Sequence, residues 1–155
     1  MMLNAQQMQS LPSFFSAIHD PRRAQGRRHR LTTVLAIAAG ACLCGMRGYR
    51  AIADWANSLG KNARQRFGCR NANGHYIVPS EYIIRDVLIR VDPSHLDQAL
   101  QNWNQIYATE DESLALDGKT MCNAIDDQGH QTHIMSVIGH QSKNCYAQKK
   151  WIPCR

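Results

Sequence analysis

Sixteen consecutive residues, Leu31 to Met46, carry no charge, and they directly follow the basic run Arg27-Arg-His-Arg30. That stretch limits the architectures open to this chain. A membrane-spanning helix needs about 18–20 apolar residues, and this one is shorter and rich in Ala, Gly and Thr. It predicts a buried core helix around which amphipathic segments must pack. Gly45 and Gly48 end it. Tyr49–Leu59 then resumes as a helix with Ile52, Trp55, Ala56 and Leu59 inward, and Gly60 is the expected stop.

The flanking segments fit a helical domain. Leu11, Phe14, Phe15 and Ile18 recur at helical spacing, which predicts a first helix over residues 12–19, with Ser10 or Ser13 near its start. Asp20-Pro21 ends it, because the residue before a proline avoids the helical region. Residues 61–73 predict a short helical piece and a loop. Ser80 is the expected cap of a helix carrying Tyr82, Ile83, Val87, Leu88 and Val91. Asp92-Pro93 restarts a helix carrying Leu96, Leu100, Trp103 and Tyr107.

After Glu110-Asp-Glu112 the period changes. Leu114–Leu116 predicts a strand ending at Asp117, with a turn at Gly118. Asp126-Asp-Gln-Gly129 is turn chemistry, and Thr132–Ile138 and Asn144–Gln148 are further strands. The expected class is α+β: a helical part over residues 1–110, then three antiparallel strands over 111–155.

Charge is divided in the same way. Residues 21–79 hold eleven Lys or Arg against the single acid Asp54, whereas residues 80–155 hold seven bases against ten acids. A basic front half points to a polyanionic partner. Arg22, Arg23, Arg27, Arg28 and Arg30 lie within nine residues, and guanidinium forks match phosphate oxygens. The six cysteines show no paired spacing and no signal peptide precedes them, so reduced thiols and a cytoplasmic location are expected.

Asp117 is the candidate metal carboxylate, since Mg²⁺ takes oxygen ligands from one or two acids and keeps several waters. On local pattern alone, Asp-Gly is more often a turn. Asp126 and Asp127 suit a solvated hairpin. His130 and His133 fall on opposite faces of a strand, so a shared metal is not expected. Gly118-Lys119-Thr120 lacks the glycine a P-loop needs, because Ser113 stands there.

Several motifs occur in one order: Phe14-Phe15, Asp20-Pro21-Arg22, Gly26-Arg-Arg-His-Arg-Leu31, Gly48-Tyr49, Trp55-Ala56, Val78-Pro79-Ser80, Ile84-Arg85 and Leu116-Asp117-Gly-Lys-Thr120. In this order the chain resembles the H-repeat-associated insertion-sequence transposases, a DDE family. The resemblance implies a transposase-associated helical domain followed by the opening strands of an RNase H-like catalytic domain. It implies that Asp117 is the first catalytic acid and a Mg²⁺ ligand. Lys119 follows at a matching position as a DNA contact, although Met121-Cys122 depart from the usual Leu-Arg. The implied partner is DNA at the element's ends. No membrane is expected, and self-association is left open. The family's second aspartate and its glutamate lie well downstream, and this chain ends 38 residues after Asp117. The expectation is therefore a truncated or frameshifted copy, inactive in strand cleavage. The alternative is a non-enzymatic DNA-binding regulator derived from a transposase.

Overall fold

A computed structural model describes residues 5–107, 113–126, 128–141 and 145–151. The fold is α+β, helices first and antiparallel strands after. Six α-helices are described: α1 (Ala5–Phe14), α2 (Leu31–Leu43), α3 (Tyr49–Ser58), α4 (Lys61–Arg66), α5 (Glu81–Arg90) and α6 (Pro93–Tyr107). A small hairpin, β1 (Arg70–Ala72) with β2 (His75–Ile77), stands between α4 and α5. Strands β3 (Leu114–Ile125), β4 (Gln131–Gly139) and β5 (Cys145–Trp151) follow α6. The chain divides into two compact units between Ala99 and Leu100, part-way along α6.

In the first unit α2 is central, as its uncharged sequence requires. Val34, Leu35, Ala36, Ile37, Ala38 and Ala41 are all buried. Helices α1, α3 and α5 pack on it. They contribute Leu11, Ile52, Ala53, Ala56, Ile84 and Val87 to the core, with Phe15 and Ile18 following α1. Among the described residues, no helix is long and apolar enough to cross a membrane. Small side chains on α2 permit close approach. A Cβ added at Gly40 would stand 3.1 Å from both the Trp55 and Phe67 rings. Those rings meet edge to face at 5.9 Å, a preferred aromatic geometry.

Several boundaries differ from those expected. The first helix runs Ala5–Phe14 rather than 12–19, with Pro12 inside it. Proline removes one backbone donor, and two residues later the helix gives way to a 3₁₀ turn at Phe15–Ala17. Gly60 does not stop α3. Leu59 ends that helix in extended backbone, while Gly60 is the N-cap of α4 and accepts the Arg64 backbone N–H. The end of α5 is tied back to the start of the unit: Arg90 Nη2 donates to the Pro21 carbonyl at 2.6 Å. Asp92 caps α6 as expected, its Oδ1 accepting the Ser94 N–H at 2.8 Å.

In the second unit β3, β4 and β5 form a meander. The strand at Asp117 does not end there. Asp117 pairs with Ser136, Gly118 with Met135 and Thr120 with His133, so the ladder continues through Gly118 instead of turning. Irregular pairing begins only after Thr120. The turn falls at residues 126–130, where Asp126 Oδ1 accepts the N–H groups of Gln128 and His130. Asp127 lies outside the described residues. Leu114, Leu116, Met135 and Trp151 fall on one face by register and all are exposed, Leu116 by 74%.

Candidate nucleic-acid interface and the Asp117 strand

The basic segment is a built loop. Its centre is Arg22, which is only 3% exposed. Arg22 Nε and Nη2 donate to the two Asp20 carboxylate oxygens at 2.9 and 2.8 Å. Nη1 donates to the Gly26 carbonyl and Nη2 also to that of His29. One guanidinium thus bridges the ends of the loop. A fork of fixed donors suits this better than a lysine point charge. Arg27 wraps the outside, donating from Nε to the Arg22 carbonyl at 2.8 Å and from Nη2 to the Asp20 carbonyl at 3.1 Å.

The five arginines therefore divide. Arg22 is spent within the fold. Arg27 is exposed but shared with the backbone. Arg23, Arg28 and Arg30 are exposed, and no hydrogen bond or ion pair to a described residue restrains their guanidinium groups. The chain's own folding thus fixes the backbone that presents these three cations.

His29 is buried inside this ring of charge, and its Nδ1 has no hydrogen-bond partner among the described residues. Burial pushes its pKa below the ordinary 6.5, and the Arg70, Arg22 and Arg28 charges push it further in the same direction. The imidazole is therefore neutral near pH 7. Asp20 is displaced downward too, chiefly by the side-chain bond from Arg22.

Asp117 sits mid-strand and exposed on β3. Register places Asp117, Ser136 and Gln148 in one row across the sheet, with Lys119, Ile134 and Lys150 in a row on the same face. Lys119 is exposed. Asp117 and Lys119 are thus brought together, within a different unit from the arginine loop. Among the described residues, no three His, Cys, Asp or Glu side chains gather where a metal could bind. His133 instead meets Thr120, Oγ1 to Nδ1 at 2.9 Å, and its ring lies edge-on to Trp151. His130 turns to Asp126 at 3.6 Å.

Sequence reasoning missed two elements here. One is the structural use of Arg22 by Asp20, for which the short Asp-Pro-Arg spacing was the available signal. The other is the β1–β2 hairpin. Asn73 (φ 51°) and Gly74 (φ 83°) both occupy left-handed backbone between the paired residues Ala72 and His75. Asn-Gly at such a position is the signature of a type I′ hairpin turn. Arg64 clamps this hairpin to the helices, donating to the carbonyls of Asn57, Leu59 and Tyr76 at 2.6, 2.8 and 3.1 Å.

Comparison with known proteins adds to this geometry. Residues 13–104 match the family described as DDE_Tnp_1-associated. The chain is also 30% identical over 142 residues to a Xanthobacter autotrophicus protein, "Uncharacterized protein in dhlA 3'region". That alignment covers 88% of this chain and 46% of the relative, so the chain spans about half the relative's length. No solved structure matches.

Proposed function

The chain belongs to the DDE_Tnp_1-associated family, and from that premise we propose that it is the DNA-engaging front portion of an insertion-sequence transposase. In this reading residues 1–110 form the helical transposase-associated domain. Residues 111–155 are the opening meander of an RNase H-like catalytic domain, consistent with the β3-β4-β5 order. The observation that carries the reading is the locked loop. An Asp20–Arg22 pair with its guanidinium buried holds a backbone from which Arg23, Arg28 and Arg30 project unrestrained by described residues, in the region that the family match covers. Such cations neutralise phosphates and release counterions, which makes binding strongly salt-dependent.

The catalytic side of the proposal is narrower. Asp117 would be the first acid of a DDE triad and one ligand of Mg²⁺, with Lys119 beside it on the same face. Two such ions stabilise the attacking and leaving oxygens in phosphodiester chemistry. One carboxylate among the described residues does not make that site, so no strand-cleavage step is assigned to these 155 residues. A nicking assay on element-end duplex in Mg²⁺ tests this, and cleavage by the purified chain would overturn it.

A second reading, a DNA-binding regulator without enzymatic activity, rests on the same loop. Binding measured across salt on element-end and random duplexes tests both readings. A chain that binds neither duplex at low salt refutes them together.

A further inference from the structure

The β1–β2 hairpin has the construction of a stiff prong. The turn is two residues long and its conformation is fixed by Asn73-Gly74. Asn71 Oδ1 accepts the Gly74 N–H at 3.0 Å and closes it further. Arg64 holds β2 by the Tyr76 carbonyl. Thr33 Oγ1 donates to the Gly68 carbonyl at 3.0 Å, which ties the hairpin's root to the first turn of α2. Arg30 is the N-cap of that same helix. The end of the arginine loop and the root of the hairpin thus share one anchor.

The exposed residues of the prong are Arg70, Asn71, Asn73, Gly74, His75 and Ile77. No acid occurs between Asp54 and Glu81, while Lys61, Arg64, Arg66 and Arg70 do. That balance selects a polyanion over an acidic or neutral protein face. A two-stranded ribbon also has the width that the major groove of B-form DNA admits, and amide side chains there can read base edges. That the Arg70 and Arg28 charges both act on the His29 ring supports their closeness.

We infer that the β1–β2 hairpin is a second DNA-contacting element, a ribbon that enters the major groove of duplex DNA beside the phosphates taken by Arg28 and Arg30. Arg70 contacts the backbone at the groove's edge, and Asn73 and His75 face the bases. The inference rests on the DNA-binding reading and adds a duplex substrate and a groove to it.

The test uses the 155-residue chain with labelled duplex, binding being followed by anisotropy across salt and by guanine-N7 methylation protection. Three variants are compared: Arg70→Gln, Asn73→Gly with His75→Ala, in which glycine keeps the positive φ of the turn, and Arg28→Ala with Arg30→Ala. All five positions are exposed, and circular dichroism confirms that each variant folds. Arg70→Gln is expected to reduce the log–log salt slope by about 0.9. The Asn73/His75 variant should lose major-groove protection and about tenfold in affinity, the scale of one base contact. Hairpin variants with unchanged slope, affinity and footprint, alongside a weakened Arg28/Arg30 variant, overturn the ribbon and leave DNA binding standing. Tighter binding to single-stranded RNA than to duplex overturns the ribbon as well. A wild-type chain that binds no duplex overturns both.

Discussion

Asp20 and Arg22 face each other two residues apart across Pro21, with both carboxylate oxygens taken by one guanidinium at 2.9 and 2.8 Å. The arginine end of this pair is buried and the carboxylate end only partly exposed. Removing the carboxylate therefore strands a charge away from water. Asp20→Asn should destabilise the helical unit by about 3 kcal/mol, near the lower end for breaking a buried pair. Urea denaturation checks this. The same variant should weaken DNA binding without removing any of the cations meant to contact it.

Acid should destabilise the fold in two stages. His29 titrates below its ordinary 6.5 in the folded chain, so the unfolded chain binds the proton more tightly. The His29 contribution is intact above pH 6.5 and declines as pH falls below it. Asp20 also titrates below its ordinary 3.8. Its contribution persists above that value and is lost as pH falls through the folded pKa. Melting temperature recorded from pH 8 to 3 should show both declines, and His29→Leu should abolish the first only.

Gly40→Ala sets two effects against each other. Ala is favoured over Gly in a helix by about 1 kcal/mol. The new methyl would sit 3.1 Å from two aromatic rings, and overpacking of this kind costs about 1–3 kcal/mol. Packing wins, and the variant should be less stable by about 1 kcal/mol. Gly40→Val should be worse, with a change in Trp55 emission.

Arg64→Met removes three hydrogen bonds to carbonyls from one cationic side chain. A loss of about 2–3 kcal/mol is expected, since bonds to charged groups are worth more than neutral ones. Hydrogen exchange should show the largest loss of protection in β1 and β2.

Asp117→Ala should change stability by no more than about 0.5 kcal/mol, as befits an exposed side chain with no hydrogen-bond or ion-pair partner among the described residues. Replacing Arg28 and Arg30 together should instead lower the salt slope of DNA binding by about 1.8. Calorimetry and a salt titration separate the two positions.

Much of this fold was legible because single residues carried decisive physics. The uncharged run Leu31–Met46 pointed to the interior, and Leu31–Ala41 lies there, whereas Cys42, Leu43 and Cys44 are exposed. Asp92-Pro93 named a helix start, and the meander after residue 113 followed from its alternation. Other features lay beyond local pattern. Gly60 serves as a helix stop or a helix cap with equal ease, and the choice was made by the chain leaving Leu59 extended. Gly118 suggested a turn, but an unbroken partner strand from His133 to Gly139 holds the backbone straight. In the loop, composition revealed five arginines. It could not show that Arg22 turns inward, because that depends on where Gly26 and His29 place their carbonyls.

The bond from Arg90 to Pro21 spans 69 residues, and it sets an order of assembly. Asp20 and Arg22 can meet as soon as both are synthesised, since closing so short a loop is fast. The Pro21 carbonyl must wait until the end of α5 has emerged, several seconds later at ribosomal rates of about 5–20 residues per second. During that interval the arginine loop is held from within but not from outside. The final shape of the loop is therefore acquired only when the last turn of α5 closes over a segment made 69 residues earlier.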